Sequence, residues 1–161
     1  MPDQYSIEIS IKEQKLYLKS GIETVKTYSI STAKNGPGEK RDSECTPRGK
    51  HLIAEKIGGG CDANTVFVGR RPTGEIYKPE LREAVPGRDW ILTRILWLRG
   101  TEEGVNRNGN VDSYHRYIYI HGSPDDVEMG KPGSRGCIRM RNEDITELFD
   151  KVDIDTEVTI R

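Results

Sequence analysis

Tyr117-Ile118-Tyr119-Ile120-His121-Gly122, then a loop from Ser123 to Gly133, then Ser134-Arg135-Gly136-Cys137-Ile138-Arg139-Met140-Arg141-Asn142, is the stretch on which the reading of this chain turns. It begins as a β-branched and aromatic strand that runs into His121 and stops at Gly122. A loop punctuated by Gly and Pro follows, and it ends at Ser134-Arg135-Gly136-Cys137, with a helix expected to start at Asn142. A thiol and an imidazole are thereby placed at the edges of two regular elements. Only the thiolate is a strong nucleophile, and a free thiol is mostly protonated at neutral pH, so a reactive cysteine needs a base or a positive charge nearby. His121 is the candidate base. Arg135, Arg139, Arg141 and Lys131 supply a positive field expected to favour the ionised sulfur. Gly133 and Gly136 let backbone N–H groups converge on one point, as an oxyanion site requires.

Taken singly, a cysteine is more often a small buried hydrophobe and a histidine more often a structural residue. The order and spacing of the motif carry more. His121-Gly122 at a strand end, then a loop, then Ser134-Arg135-Gly136-Cys137-Ile138-Arg139-Met140, resembles the bacterial L,D-transpeptidase catalytic domain family. Asn142 and Asp144 follow as family members often show. Arg135 departs from the pattern, since many members carry His there, so the base is expected to be His121. The resemblance extends to the Ile-rich first strand, to Gln14-Lys15-Leu16-Tyr17-Leu18 and to the Thr46-Pro47-Arg48-Gly49 turn. That turn is read as serving the fold, with Pro fixing φ and Gly supplying an unusual backbone angle.

Outward from this stretch, 161 residues suit one domain with a sizeable core, expected to span 1–161. Lys and Arg nearly cancel Asp and Glu, giving a net charge of -1, so nothing points to nucleic acid. Cys45, Cys61 and Cys137 are too few for a disulfide framework. A Cys45–Cys61 bridge is open to the chain, and reduced thiols are the simpler expectation. Met1-Pro2-Asp3-Gln4-Tyr5 has neither a basic nor an apolar leader region, and no run approaches the roughly 18 to 20 apolar residues of a membrane span. The expectation is a cytoplasmic protein, or a periplasmic or wall protein if a leader has been removed.

Tyr5 to Ile11 alternates as a half-buried strand does, Gln14 to Leu18 continues as a second strand, and Thr24 to Thr32 reads as a third, an antiparallel meander. His51 to Ile57, Thr65 to Val68, Trp90 to Leu98 and Thr156 to Ile160 are further strands, with Trp97 in the core. Gly58 to Asp89 is long, polar and interrupted by Pro72, Pro79 and Pro86; about 58–89 is expected to be a lid or insertion over the cleft. Gly100 to Ser113 is a polar loop turning at Asn108-Gly109-Asn110. Ile145, Leu148, Phe149 and Val152 recur at i, i+3, i+4 and i+7, the stripe of an amphipathic helix over about 142–152, with Asn142 as its N-cap. The expected fold is mainly β, a sandwich or barrel-like sheet with one packed C-terminal helix.

The resemblance implies a cysteine acyl transfer on peptidoglycan stem peptides or muropeptides, with no cofactor. Cys137 attacks the carbonyl between a diamino acid and D-alanine, His121 moves the proton, and Gly136 and Cys137 N–H groups form the oxyanion hole. Arg139 holds a substrate carboxylate or pairs within the fold; Ser134, Arg135, Gly122 and Tyr119 are further candidates for substrate contacts. With no leader visible, an L,D-carboxypeptidase of recycling is favoured over the cross-linking transpeptidase. Carbapenem-like β-lactams, which acylate this family, are expected to add at Cys137. A remoter reading is a metal site of His115, His121 and Cys137, although paired ligand spacings are lacking.

Overall fold

The computed structural model describes residues 4–161; the expectation for Met1 to Asp3 lies outside it. Ten strands run in the order β1 (Tyr5–Ser10), β2 (Lys15–Ser20), β3 (Glu23–Ser31), β4 (Gly49–Ile57), β5 (Thr65–Val68), β6 (Arg71–Ile76), β7 (Ile91–Gly100), β8 (Tyr119–Ser123), β9 (Ile138–Arg141) and β10 (Glu157–Ile160). Helix α1 (Pro79–Ala84) precedes β7 and α2 (Asn142–Lys151) follows β9. The expected meander forms, with β1–β2 and β2–β3 antiparallel. The hydrogen-bonded order is β4-β10-β1-β2-β3-β9-β8-β7-β5-β6, and β4 also pairs with β7, which closes the sheet on itself. Closure removes the exposed edges that an open sheet would carry. The hairpin β5–β6 hangs outside this ring, with β5 on the first residues of β7 through Val66–Leu92 and Phe67–Ile91. Among the described residues, no helix is long and apolar enough to cross a membrane.

Side-chain alternation decides where chemistry can sit. Successive residues of a strand point to opposite faces, so Leu96, Leu98, Ile120, Ile138 and Met140 enter the main core with Ile7, Leu16 and Ile30. The stripe Ile145, Leu148, Phe149 and Val152 of α2 and its C-terminal boundary packs into the same cluster. Each fully buried Ile or Leu there contributes about 1.5–3 kcal/mol. The intervening residues Ile95, Trp97 and Tyr119 form a second cluster with Phe67, against which Cys137 packs. Strands buried on both faces read as continuous apolar runs, and β7 is such a strand.

Strands β8 and β9 are parallel, with Ile120 opposite Ile138 and His121 opposite Arg139. A parallel pair needs a crossover of about a dozen residues or more, which the loop from Pro124 to Cys137 supplies. Register and alternation together put His121 and Cys137 on the same face, one strand apart.

Several expected boundaries move. Strand β8 starts at Tyr119 and continues through Gly122 to Ser123, because Tyr117 adopts a positive φ of 58° in the preceding turn. Asn142 is not the N-cap: Arg141 holds that position without a side-chain cap. The Asn142 side chain instead turns inward, accepting from Thr93 Oγ1 at 2.6 Å and donating to Asn64 Oδ1 and Asp125 Oδ1. Residues 58–89 hold more regular structure than their composition suggests, namely the β5–β6 hairpin and α1. Proline at the first position of α1 leaves no intrahelical bond unmade. Trp97 is buried and stacked on Tyr114 at 4.0 Å between ring centroids.

Candidate active site

A turn held from three sides presents Cys137. The Ser134 hydroxyl donates to the Cys137 carbonyl at 2.6 Å and accepts the Gly136 N–H at 3.1 Å. Buried Thr46 accepts the Ala33 N–H and donates to the Gly136 carbonyl, both at 2.9 Å. The amides of Gly133 and Ser134 donate to the Thr32 carbonyl, and that of Lys34 to the Ser134 carbonyl. Gly136 has a φ of 133° and lies against the Cys45 carbonyl, so a side chain there would be strained and crowded. The Thr46 turn was expected to serve the fold alone; its hydroxyl in fact fixes the residue next to the cysteine.

The sulfur accepts the Tyr119 N–H at 3.4 Å and lies 3.3 Å from the Tyr117 carbonyl, to which the thiol donates. Phe67, Ile95 and Tyr119 pack around it, leaving it half-buried at the wall of a pocket. Burial pushes the thiol up to about 12, opposed by the Tyr119 N–H; the Asp89 carboxylate adds to the rise, and Arg139 and Arg116 oppose it. The expected positive field does not dominate, because the cations are engaged elsewhere. Arg139 pairs with Asp89 at 3.3 Å and donates to the Gly133 carbonyl. Arg135 donates to the Gly87 carbonyl, Arg141 faces Asp144 and Lys131 faces Glu128.

His121 is buried, with Nδ1 2.6 Å from the Gly122 carbonyl. A carbonyl can only accept, so Nδ1 carries the proton and Nε2 keeps its lone pair. Nε2 has no hydrogen-bond partner in the fold. Burial holds the imidazole pKa below its ordinary value, while Asp89 and the Gly122 carbonyl pull it upward. Burial therefore favours the neutral ring. His121 and Cys137 line one pocket of about 420 Å³ with Arg70, Asp89, Arg116, Tyr117, Ser134 and Arg135.

The remaining candidates take varied places. The Gly136 N–H is taken by the Ser134 hydroxyl, so it is not a free oxyanion donor. Gly122 does not line the pocket; a Cβ there would meet Asn142 Oδ1 and the Leu92 carbonyl, so glycine permits close packing of strand on helix start. Arg139 is absent from the pocket lining and forms the internal ion pair. Tyr119 packs edge-on against Trp97, and its hydroxyl accepts from Arg70 at 3.1 Å. His115 does not share a strand face with His121: it sits in a turn, is 79% exposed and pairs with Asp112. Cys45 and Cys61 are free thiols. Residues overlooked in the sequence are Arg70, Asp89, Arg116 and Tyr117; only Arg70 had a local signal, the Gly69-Arg70 pair between two strand-like runs.

These features define a class, mainly β domains with a barrel-like sheet and a thiol and an imidazole sharing one pocket. The chain belongs to the YkuD family, the L,D-transpeptidase catalytic domain, whose family model matches residues 4–160. A probable L,D-transpeptidase of Escherichia coli K12, ErfK/SrfK, is 47% identical over 45 residues, 28% of this chain and 14% of that protein. The putative L,D-transpeptidase YkuD of Bacillus subtilis is 49% identical over 41 residues, 26% of this chain and 25% of its own. Among solved structures, the L,D-transpeptidase LdtMt1 in complex with imipenem superposes with a TM-score of 0.60 at 19% identity, covering 99% of this chain and 59% of that one. L,D-transpeptidase 3 from Mycobacterium tuberculosis, in complex with a faropenem-derived adduct, gives 0.58 at 15% identity over 99% and 60%. Likeness at these identities establishes the fold, and the chain spans well under two thirds of each relative.

Proposed function

We propose that this domain transfers acyl groups from peptidoglycan tetrapeptide stems through a thioester on Cys137. The observation that carries the reading is the unpartnered Nε2 of a buried, neutral His121 in the same pocket as a protonated thiol. Burial disfavours the ionised form of both groups, so the proton passes from sulfur to Nε2 as the sulfur attacks. The Gly122 carbonyl then stabilises the imidazolium through Nδ1–H. Among the described residues the Cys137 N–H has no turn or loop partner and would meet the developing oxyanion. Collapse of the tetrahedral adduct breaks the C–N bond, and the imidazolium returns the proton to the leaving amine of D-alanine. In the second half His121 takes a proton from the acceptor as it attacks the acyl carbon, the C–S bond breaks, and the imidazolium returns that proton to the sulfur, restoring the thiol and the neutral ring.

Water as acceptor makes the domain an L,D-carboxypeptidase, and an amine makes it a transpeptidase. The naming of the E. coli and B. subtilis relatives as L,D-transpeptidases favours the amine. Incubation with murein tetrapeptide separates the two, since tripeptide plus D-alanine marks water and cross-linked dimer marks the amine. Neither product from folded protein would overturn the reading. Cys137→Ala should abolish both products. A carbapenem should add its mass to the protein and not to that variant, as the complexes of the solved relatives suggest.

A further inference from the structure

The geometry points to Arg70 as the specificity-determining residue, a clamp for the free C-terminal carboxylate of the residue that leaves; this rests on the acyl-transfer reading above. Arg70 stands at the tip of the β5–β6 hairpin and lines the pocket with His121 and Cys137. Its guanidinium is held between Trp97 and Tyr117, 4.8 Å from each ring centroid, with Nη1 on the Tyr119 hydroxyl at 3.1 Å. Among the described residues no carboxylate forms an ion pair with it. Glu55, the acid whose charge reaches it, is bound by the Tyr114 hydroxyl at 2.6 Å. A guanidinium carries five donors, and the fold occupies one.

The neighbouring guanidiniums are differently placed. Arg116 is spread over the carbonyls of Gly38 and Cys45 and the Ser43 hydroxyl, and Arg139 is paired with Asp89. The exposed Arg135 is tied to Gly87. Arg70 alone is held flat by two rings and still offers an open fork, the geometry that binds a carboxylate bidentately. Tyr119 acts as a ruler: its N–H touches the sulfur and its hydroxyl touches Arg70. The sulfur and the guanidinium thus stand at opposite ends of one residue in one pocket, with the attacked carbonyl at the first and the carboxylate of the leaving residue toward the second.

Backbone conformation supplies an independent sign. Gly69 and Arg70 form a two-residue hairpin loop with φ of 57° and 65°. Such turns favour Asn or Gly at both positions, and a non-glycine residue held at positive φ without need is a cost associated with functional sites. Arginine has no turn-forming reason to be there.

The test compares a stem tetrapeptide with its C-terminal amide. Binding is measured by calorimetry to Cys137→Ala, with and without Arg70→Asn or Arg70→Lys, and turnover is measured in the same Arg70 variants with the cysteine intact. Asn suits the turn, which offsets the lost ring and Tyr119 contacts, so Arg70→Asn should melt close to the parent. The acid should bind roughly 10- to 100-fold more tightly than the amide. Arg70→Asn should erase that preference without weakening the amide, Arg70→Lys should restore part of it, and the loss in turnover of the acid should lie in KM. Equal binding of acid and amide to Cys137→Ala, or a preference that survives Arg70→Asn, overturns the clamp. A carboxylate preference without turnover of either peptide leaves the clamp standing and removes the acyl-transfer reading; turnover without the preference does the reverse.

Discussion

Thr46→Val should cost more than a surface hydroxyl exchange because one oxygen serves two buried partners. Thr46 is fully buried, as is Ala33, and Gly136 is buried beside it. Valine keeps the shape but removes both the acceptor for the Ala33 N–H and the donor to the Gly136 carbonyl. An unsatisfied buried polar group costs about 1–3 kcal/mol, so two cost about 2–6 kcal/mol before relaxation. The methyl that replaces the hydroxyl returns up to about 1 kcal/mol of apolar burial. The expected loss is about 1–6 kcal/mol, or a fall in Tm of roughly 2–24 °C at about 2–4 °C per kcal/mol for a chain of this size. Urea denaturation of the wild type, Thr46→Val and Thr46→Ser measures it. Serine keeps both bonds and should lose less than about 1.5 kcal/mol, mainly the buried methyl. Because Gly136 precedes Cys137, the residue proposed to be acylated, carbapenem acylation of Thr46→Val should also slow. If Thr46→Val unfolds within about 0.5 kcal/mol of wild type, the claim that Thr46 anchors the cysteine turn is refuted.

Stability should fall in mild acid through His51, which is buried with Nδ1 on the Gly49 carbonyl and Nε2 accepting from the Ser113 hydroxyl. Burial lowers its pKa from 6.5 to about 4, so between those values the unfolded chain binds more protons than the folded one. The contribution is complete above about 6.5 and lost as pH falls toward 4, about 3 kcal/mol at 1.36 kcal/mol per unit. His51→Gln should reduce the slope of unfolding free energy against pH in that window by up to one proton, leaving the part due to His121, whose shift has the same sign. An unchanged slope would contradict the assignment. Asn142→Ala should destabilise by about 2–3 kcal/mol, since it strips the Thr93 hydroxyl of its 2.6 Å acceptor and leaves Asn64 and Asp125 without their donor. Thermal unfolding checks this, and a change below about 0.5 kcal/mol would mean that the inward turn of Asn142 is incidental.

Local sequence determined most of the strands, the α2 stripe and the pairing of His121 with Cys137 in one motif. Period-2 alternation and 3.6-residue spacing are written in neighbouring residues, and His121 and Cys137 stand in a motif whose order is local. The N-cap was misread because Asn142 satisfies distant partners, Thr93, Asn64 and Asp125, rather than its own helix. Similarly, α1 and β6 were hidden in a polar, proline-rich segment whose regularity depends on packing against β5 and the Tyr77–Trp90 cluster. Tertiary structure alone decided the protonation states and the charge partners. A cysteine surrounded in sequence by arginines reads as an activated thiolate, but those guanidiniums reach Asp89, Gly87 and Asp144 instead. Burial then sets the sulfur's titration. Electrostatic energy depends on distance and solvent access, neither of which is a property of sequence separation. For the same reason, Arg70 enters the pocket only through the pairing of β5 on β7.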